Sequence, residues 1–254
     1  MACAEQEDLK NKMGDQLAEK LNIGDIEKIV KRALDRGKKA LVETDAKELL
    51  SLVSVPVPRY KMVTDIDSAK AAANEIGYPV ALKVVSSDIL HKSEVGGISL
   101  DLKEERDIAD YWTMMVLNVA DDCPLALIEG FLVEEMMPKG ATEVIVGAIE
   151  DPQFGPVVMF GTGGVSVELM QDVSFRLAPV TKQEALEMMR EVKGFPLLTG
   201  YRGSGYKDID AVADVIVTVS NLVGSSTGIK EMEINPLMVY RDKVVAVDVK
   251  CVIA

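Results

Sequence analysis

The residues best suited to chemistry lie in one short stretch, from Lys83 to a glycine pair at Gly96 and Gly97. His91, the only histidine among 254 residues, sits eight positions after Lys83. Glycines let backbone N–H groups approach an anion, lysines supply positive charge, and an imidazole carries a phosphoryl group reversibly at neutral pH. The stretch therefore predicts a phosphate-handling site with His91 as its nucleophile. The alternative is a surface histidine in a hairpin loop.

The C-terminal strands carry a candidate metal site. Glu233 and Asn235 are two residues apart, so on a strand they share a face. A two-residue turn at 241–242 would pair Asn235 with Asp248, which lies in an otherwise apolar run. Mg²⁺ prefers such oxygen ligands and typically takes only one or two of them from the protein. We expect a metal at Asn235 and Asp248; a salt bridge from Asp248 to Lys250 is the alternative.

A third candidate is the apolar segment that ends in Glu134, Glu135, Met136 and Met137 before Pro138. An adenine ring needs an apolar slot beside a backbone carbonyl and N–H, and a strand that links two lobes offers both. The segment is consistent with an adenine-binding hinge, although an edge strand with solvated acids would look the same.

Two weaker candidates concern phosphate. Gly161, Gly163 and Gly164 follow a predicted strand and could form an anion-binding nest, but a tight structural turn explains them as well. Arg202, between Tyr201 and a glycine, could clamp a phosphoryl group because a guanidinium matches its oxygens bidentately.

Five motifs in order carry a resemblance that covers the chain from about Asp25 onward. They are Lys83 with His91-Lys-Ser-Glu-Val-Gly-Gly, Val133-Glu-Glu-Met-Met-Pro-Lys-Gly-Ala-Thr-Glu143, the run 151–168, Leu198-Thr-Gly-Tyr-Arg202-Gly, and Glu233-Ile-Asn235-Pro-Leu. Their order and spacing resemble the ATP-grasp beta subunit of ADP-forming acetate–CoA ligase, in the NDP-forming acyl-CoA synthetase family. The resemblance implies an α+β (α/β) ATP-grasp fold in which two mixed lobes clasp a nucleotide.

The resemblance also implies roles for individual residues. His91 would take a phosphoryl group and deliver it to ADP, with Glu233 orienting the phosphohistidine. Mg²⁺ would be bound by Asn235 and Asp248. ATP or ADP would be contacted by Lys83, Gly96 and Gly97, by the hinge residues Glu134, Glu135 and Met136, and by Glu143.

The implied partner is an alpha subunit that carries the CoA-binding domain and a first phosphohistidine. Two alpha and two beta chains would form a heterotetramer. Succinyl-CoA synthetase beta subunits share the glycine loop and the Glu-Ile-Asn-Pro-Leu motif but carry no histidine at the place of His91. His91 therefore favours the ADP-forming acyl-CoA synthetases.

Two other functions compete with this one. A stand-alone ATP-grasp carboxylate ligase would use Lys83 and the metal pair but would leave His91 without a covalent role. A non-catalytic nucleotide-sensing module of a regulatory acyltransferase would often lose nucleotide or metal residues, all of which are kept here. Detection of phosphohistidine after incubation with Mg-ATP separates the three.

The elements that must position these residues follow from periodicity. Residues 1–24 are polar and predict an extension, residues 25–130 a first lobe, and residues 131–254 a second. Strand runs separated by helices without a regular repeat predict two α+β lobes. Predicted helices include 65–76, closed by Gly77, and 104–119; predicted strands include 98–102 and 244–250.

Composition excludes several functions. Lys plus Arg number 28 against 41 for Asp plus Glu, and the resulting net charge of −13 disfavours nucleic acid as a partner. No apolar run approaches the length of a membrane span, and residues 1–20 are too polar for a signal peptide. The three cysteines have no metal or redox spacing. We expect a cytoplasmic enzyme with free thiols.

Overall fold

The computed structural model describes residues 23–89, 92–163, 172–203, 205–225 and 227–253. The predicted nucleophile His91, the loop residue Gly164 and most of the predicted N-terminal extension lie outside these ranges. Within these ranges the helices are α1 (Ile23–Leu34), α2 (Glu43–Leu52), α3 (Ile66–Ile76), α4 (Glu105–Asp122), α5 (Lys182–Glu191) and α6 (Ile209–Gly224). Two 3-10 turns, Phe195–Leu197 and Tyr201–Gly203, lie between α5 and α6.

The strands form two sheets. The four-stranded sheet has the order β1-β4-β2-β3, and the six-stranded sheet has the order β10-β8-β5-β6-β7 with β9 paired to β8. All the pairings are antiparallel. The strands are β1 (Tyr60–Val63), β2 (Val80–Val85), β3 (Ile98–Leu102), β4 (Gly130–Glu135), β5 (Thr142–Asp151), β6 (Gly155–Thr162), β7 (Val173–Leu177), β8 (Ile229–Val239), β9 (Val244–Ala246) and β10 (Val249–Ile253).

Local sequence signals set the ends of α3. The Asp65 side chain caps the helix by accepting from the backbone N–H of Ser68 over 2.8 Å. At the other end Gly77 has φ 96°, a conformation that side chains with a Cβ rarely adopt. The helix predicted over 65–76 is thus present, with Asp65 as its cap.

Each sheet has its own hydrophobic core, and these cores revise the predicted division of the chain. Apolar residues of α3 and α4 pack on one face of the four-stranded sheet. Residues of α1 and α2 pack instead with α5, α6 and the six-stranded sheet. The segment before α2 also adds to that sheet, since the N–H of Leu41 donates to the carbonyl of Cys251 over 2.9 Å.

The predicted boundary at residues 130 and 131 therefore differs from the structure in two ways. Helices α1 and α2 precede the small lobe in sequence but belong to the core of the large one. Strand β4 follows the predicted boundary but is an inner strand of the small sheet. Sheet membership changes after Glu135, where the chain leaves β4 for β5.

Three strand assignments also differ. Strands β1 and β7 lack a clear alternation and were not predicted. The predicted strand 244–250 is split into β9 and β10, with residues 247 and 248 between them. Among the described residues, no helix combines the length and the apolar character needed to cross a membrane.

Candidate functional site

Lys83 and Glu134 lie on the face of the small sheet opposite to α3 and α4. Side chains alternate along a strand, and Leu82 and Val84 pack into the core with those helices, so Lys83 points away from them. Glu134 on β4 points the same way as Lys83, and the start of α2 covers both. The face is therefore buried between the lobes.

Glu43, the first residue of α2, binds three lysines with one carboxylate. Its Oε1 lies 3.0 Å from the Nζ of Lys47 and 3.0 Å from the Nζ of Lys83. Its Oε2 lies 3.0 Å from the Nζ of Lys92, in the loop that leads to β3. A single side chain thus joins α2 to the small sheet and to the loop that follows His91.

Glu134 completes this buried ionic cluster. Its carboxylate contacts the Nζ of Lys47 and lies 2.9 Å from the Nζ of Lys83. Buried charges of this kind are tolerated because they are paired on several sides. The alternative of a solvated acid on an edge strand is wrong for Glu134, because β4 is an inner strand and the residue is 1% exposed.

The cluster shifts the pKa values of its members in opposite directions. Burial would raise the pKa of Glu43, but the neighbouring lysines hold it well below its ordinary 4.5. Burial and the Lys83 ammonium lower the pKa of Lys47 to about 7. Burial also lowers the pKa of Lys92, but Glu43 and Asp248 outweigh it and raise the net value. Lys92 is therefore firmly cationic at neutral pH.

The loop that holds Lys92 is closed by the predicted glycine pair. The N–H of Gly97 donates to the carbonyl of Lys92 over 2.7 Å. A Cβ on Gly97 would lie 2.6 Å from a methyl of Val84 and 3.0 Å from the Lys92 carbonyl oxygen. Gly96 has φ 62°, which also favours glycine. Both glycines have a structural reason here, and their contact with a nucleotide stays a prediction.

The C-terminal hairpin has the predicted register. Leu237 pairs with Ala246 and Ile234 with Val249, so Asn235 faces Asp248. The backbone N–H of Asn235 donates to the carbonyl of Asp248 over 3.1 Å.

These residues suit a hard divalent cation. The amide nitrogen of Asn235 donates to Glu233 Oε1 over 3.4 Å, and within the described chain the Asn235 amide oxygen accepts no hydrogen bond. The amide oxygen and the Asp248 carboxylate are the oxygen donors that Mg²⁺ prefers. Among the described residues there is no group of three His, Cys, Asp or Glu that could hold a metal. One amide oxygen and one carboxylate match the one or two protein ligands that Mg²⁺ typically takes where phosphates supply the others.

Asp248 does form a salt bridge, but not to the residue expected. Its Oδ1 lies 3.5 Å from the Nζ of Lys92. Lys250 binds Glu231 instead, over 2.8 Å, on the neighbouring strand. The proposed alternative thus had the right kind of interaction and the wrong lysine.

A cavity of about 210 Å³ brings the candidate groups together. It opens between the lobes and collects residues from α2, the 92–97 loop and the C-terminal hairpin. Its polar lining includes Glu43, Ser86, Ser87, Lys92, Glu233, Asn235 and Asp248. Lys83 lies behind this wall and does not line the cavity.

The predicted hinge residues have different environments. Glu135 binds Arg59 through Oε2 at 3.0 Å, and its backbone N–H donates to the Arg59 carbonyl over 2.9 Å. The N–H of Met136 donates to the Pro79 carbonyl over 3.4 Å. These residues do connect the two sheets, as a hinge must, but contact with an adenine ring stays a prediction.

Close packing explains the glycines at the end of β6. Gly161 lies between β5 and β7, where a Cβ would be 2.8 Å from Val173 and 3.0 Å from the Asp172 carbonyl oxygen. A Cβ on Gly163 would be 2.7 Å from the backbone of Glu143. This favours the structural reading of Gly161 and Gly163 over the phosphate nest.

Glu143 belongs to a second and larger cavity, of about 660 Å³, together with Thr142, Gly163, Lys193 and Tyr201. Arg202 has φ 49°, and its guanidinium lies 5.3 Å from the centre of the Tyr201 ring. The structure therefore separates Glu143 and Arg202 from the cavity that holds Glu233, Asn235 and Asp248.

Three residues of the site, Glu43, Lys47 and Lys92, were not predicted. Glu43 and Lys47 are four residues apart and share the buried side of α2 with Ala46 and Leu50. Two opposite charges at this spacing on an apolar helix face are a signal that periodicity could have supplied. Lys92 was quoted within a motif but was given no role of its own.

Comparison with known proteins shows the family to which the chain belongs. The ATP-grasp domain family matches residues 32–253. The beta subunit of acetate–CoA ligase (ADP-forming) I from Pyrococcus furiosus is 45% identical over 213 residues, which cover 84% of this chain and 91% of that protein.

Solved structures give the same placement. The dinucleotide forming acetyl-coenzyme A synthetase 1 of Ca. Korarchaeum cryptofilum, in complex with coenzyme A and Ca-AMPCP, has a TM-score of 0.85. It is 40% identical to this chain and covers 89% of it, and the match spans 99% of the solved chain. A second structure of that protein contains Mg-AMPPCP, with its phosphohistidine segment pointing towards the nucleotide binding site; its TM-score is 0.77 at 37% identity, covering 90% of this chain and 100% of that chain. This chain belongs to the ATP-grasp family, among the beta subunits of the ADP-forming acetate–CoA ligases.

Proposed function

We propose that this chain is the nucleotide-binding, phosphoryl-transferring beta subunit of an ADP-forming acyl-CoA synthetase. The enzyme would convert acyl-CoA, ADP and phosphate into the free acid, CoA and ATP. In the step assigned to this chain, the His91 imidazole accepts a phosphoryl group. It then gives that group to the terminal phosphate oxygen of ADP, which forms ATP and regenerates the free imidazole.

The observation that carries the proposal is the polar cavity between the lobes. It combines a firmly charged lysine, Lys92, with three carboxylates and an amide, and it lies beside the loop that follows His91. Positioning and electrostatic stabilisation are what phosphoryl transfer chiefly requires of a protein. The Mg-AMPPCP complex of the Korarchaeum relative supports the same use of the fold.

Asn235 and Asp248 would hold Mg²⁺ in this cavity. When bound, the ion neutralises phosphate charge and orients the nucleotide. Glu233, hydrogen-bonded to the Asn235 amide, would orient the imidazole of His91 as it carries the phosphoryl group. The hinge segment 134–136 is proposed to support the nucleotide, with Glu143 and Arg202 as outlying contacts. Lys83 would act on the nucleotide indirectly, by holding Glu43 and Glu134 in the wall behind the cavity.

An alpha subunit is the proposed partner. The Pyrococcus relative is itself a beta subunit. This chain has no Gly-x-Gly-x-x-Gly and nothing that resembles a CoA-binding Rossmann domain, so acyl specificity would reside on the partner. We propose a cytoplasmic heterotetramer of two alpha and two beta chains.

Phosphohistidine detection tests the function. The full chain is incubated with Mg-[γ-³²P]ATP and assayed for acid-labile, base-stable label. We expect label on the parent chain and none on His91→Ala, with nucleotide binding retained in the variant because His91 is proposed as a carrier and not as a nucleotide ligand. An unlabelled parent, or near-normal turnover of His91→Ala in the reconstituted complex, would refute the relay.

A further inference from the structure

Lys83, the lysine predicted to contact the nucleotide, is not the lysine best placed to meet the transferred phosphoryl group. Lys83 has three N–H donors, as every lysine ammonium does. All three have partners: Glu43 at 3.0 Å, Glu134 at 2.9 Å and the Val247 carbonyl at 3.1 Å. Its side chain is 3% exposed. In this arrangement Lys83 has no donor left for a phosphate oxygen.

Lys92 has the opposite character. Its Nζ contacts Glu43 at 3.0 Å and Asp248 at a longer 3.5 Å. Within the described chain these are its only ion pairs, which leaves one N–H for the cavity that Lys92 lines with Glu233 and Asn235. Its side chain is 11% exposed. Because little water surrounds the ammonium, its attraction to an anion is strong, and a phosphate oxygen in the cavity can still reach it.

Glu43 fixes where this ammonium lies. The Glu43 carboxylate is held by Lys47 and Lys83 through Oε1 and binds Lys92 through Oε2. Its position is therefore set by the buried cluster and not by Lys92 itself. The backbone of Lys92 is fixed separately by the hydrogen bond from Gly97. A long side chain anchored at both ends loses little further entropy when it acts.

We propose that Lys92 is a further catalytic residue, the cation that contacts the phosphoryl group in transfer, and that Glu43 is its positioning residue. The inference rests on the proposed function and deepens it. Asp248 is the more distant of the two Lys92 partners and also the predicted metal ligand. A metal ion at Asp248 would therefore free a second N–H of Lys92 for an anionic oxygen, while Glu43 keeps the ammonium in place.

Three variants of the full chain test the assignment by single-turnover labelling with saturating Mg-[γ-³²P]ATP. Lys92→Met should slow labelling about 100-fold or more, the scale of losing one preorganised donor to developing charge. Lys92→Arg keeps the charge and should recover most of the rate. Lys182→Met is the control, because Lys182 also pairs with a carboxylate, that of Asp214 at 2.9 Å, and neither residue lines the cavity.

Nucleotide binding is measured in parallel as the rise in melting temperature with Mg-ADP. We expect that rise to persist in Lys92→Met, because the lost contact is made during transfer. If Lys92→Met does not fold, Lys92→Gln, which keeps a polar N–H, replaces it. Glu43→Gln should slow labelling as well. The ratio of the parent's labelling rate to that of Glu43→Gln should stay the same when the nucleotide concentration is lowered.

The outcomes separate the two proposals. An unlabelled parent chain would refute the proposed function itself. A labelled parent with equal labelling of Lys92→Met, or equal loss in Lys182→Met and Lys92→Met, would overturn only the role of Lys92. If Glu43→Gln is labelled at the normal rate while Lys92→Met is labelled slowly, Glu43 does not position Lys92.

Discussion

Asn235 and Asp248 face each other across the C-terminal hairpin, with the Asn235 N–H donating to the Asp248 carbonyl over 3.1 Å. This pairing follows from a turn of two residues, and it brings an amide and a carboxylate to one side of the cavity. Asp248 lies between β9 and β10, where its side chain is 30% exposed. The gap between the strands lets the carboxylate reach Lys92 and the cavity, so the anion is not trapped in the apolar run.

Asp248→Asn should weaken binding of Mg-ADP, because the metal loses its anionic protein ligand. The apo protein should change by no more than about 1 kcal/mol, since the pair with Lys92 is long and partly exposed. Thermal melts with and without Mg-ADP measure both effects. Asp242→Asn, in the exposed turn of the same hairpin, is the control and should keep the full Mg-ADP-induced rise. If Asp248→Asn keeps the full Mg-ADP-induced rise in melting temperature, the metal does not bind at this site.

Lys47→Met should destabilise the chain by about 3–5 kcal/mol, because it leaves two buried carboxylates with one fewer cation. Methionine fills a similar volume, so the loss reports charge more than packing. Chemical denaturation at pH 6, below the lowered pKa of about 7 at which Lys47 loses its charge in the folded chain, gives the free energy of unfolding directly. Lys103→Met removes an exposed lysine 3.0 Å from Asp101 and should leave the denaturation midpoint near that of the parent. Equal midpoints for the parent and Lys47→Met would mean that the cluster contributes nothing to stability.

Glu43 should make stability depend on pH in the acid range. Its pKa is lowered in the folded chain and returns to about its ordinary 4.5 on unfolding. The unfolded chain therefore binds the proton first, and stability present above pH 4.5 is lost as pH falls below it. Glu43→Gln cannot lose this contribution, so the stability gap between parent and variant should narrow below that pH. Urea denaturation of both proteins from pH 7 downward tests this, and a constant gap would contradict it.

Local patterns were enough for much of the fold. The predicted start at Asp65 and the glycine at Gly77 gave the ends of α3, and the two-residue turn gave the register that joins Asn235 to Asp248. In each case the deciding interaction lies within one helix or one hairpin. Such features can be read from spacing, because the residues concerned are neighbours along the chain or across a short turn.

The ionic cluster could not be read in this way. Glu43 reaches Lys83, and Lys47 reaches Glu134, only because α2 packs with the large lobe although it precedes the small lobe in sequence. The family resemblance implied that Lys83 contacts a nucleotide, whereas its ammonium is enclosed by two acids and a carbonyl. Strand alternation can show which face Lys83 occupies, but it does not show what covers that face.

Gly161→Ala tests whether Gly161 is needed for close packing of the strands or for phosphate binding. Gly161 pairs with Ile145 on one side and Val173 on the other. A methyl there would meet a Val173 methyl at 2.8 Å, the Asp172 carbonyl oxygen at 3.0 Å and Ile145 at 3.1 Å. Because backbone as well as side chains must move, we expect a loss of about 1–3 kcal/mol in the free energy of unfolding. Affinity for Mg-ADP should change little where the variant is folded.

Gly24→Ala is the matched control for that substitution. Gly24 lies within α1, and a Cβ there meets nothing within 4 Å. Alanine is the better helix former by about 1 kcal/mol, so this variant should be as stable as the parent or more so. Urea denaturation compares the free energies of unfolding of the two variants, and fluorescence titration gives their Mg-ADP affinities. If Gly161→Ala keeps its stability and loses Mg-ADP binding, the glycine serves the phosphates and not the close approach of β6 to β5 and β7.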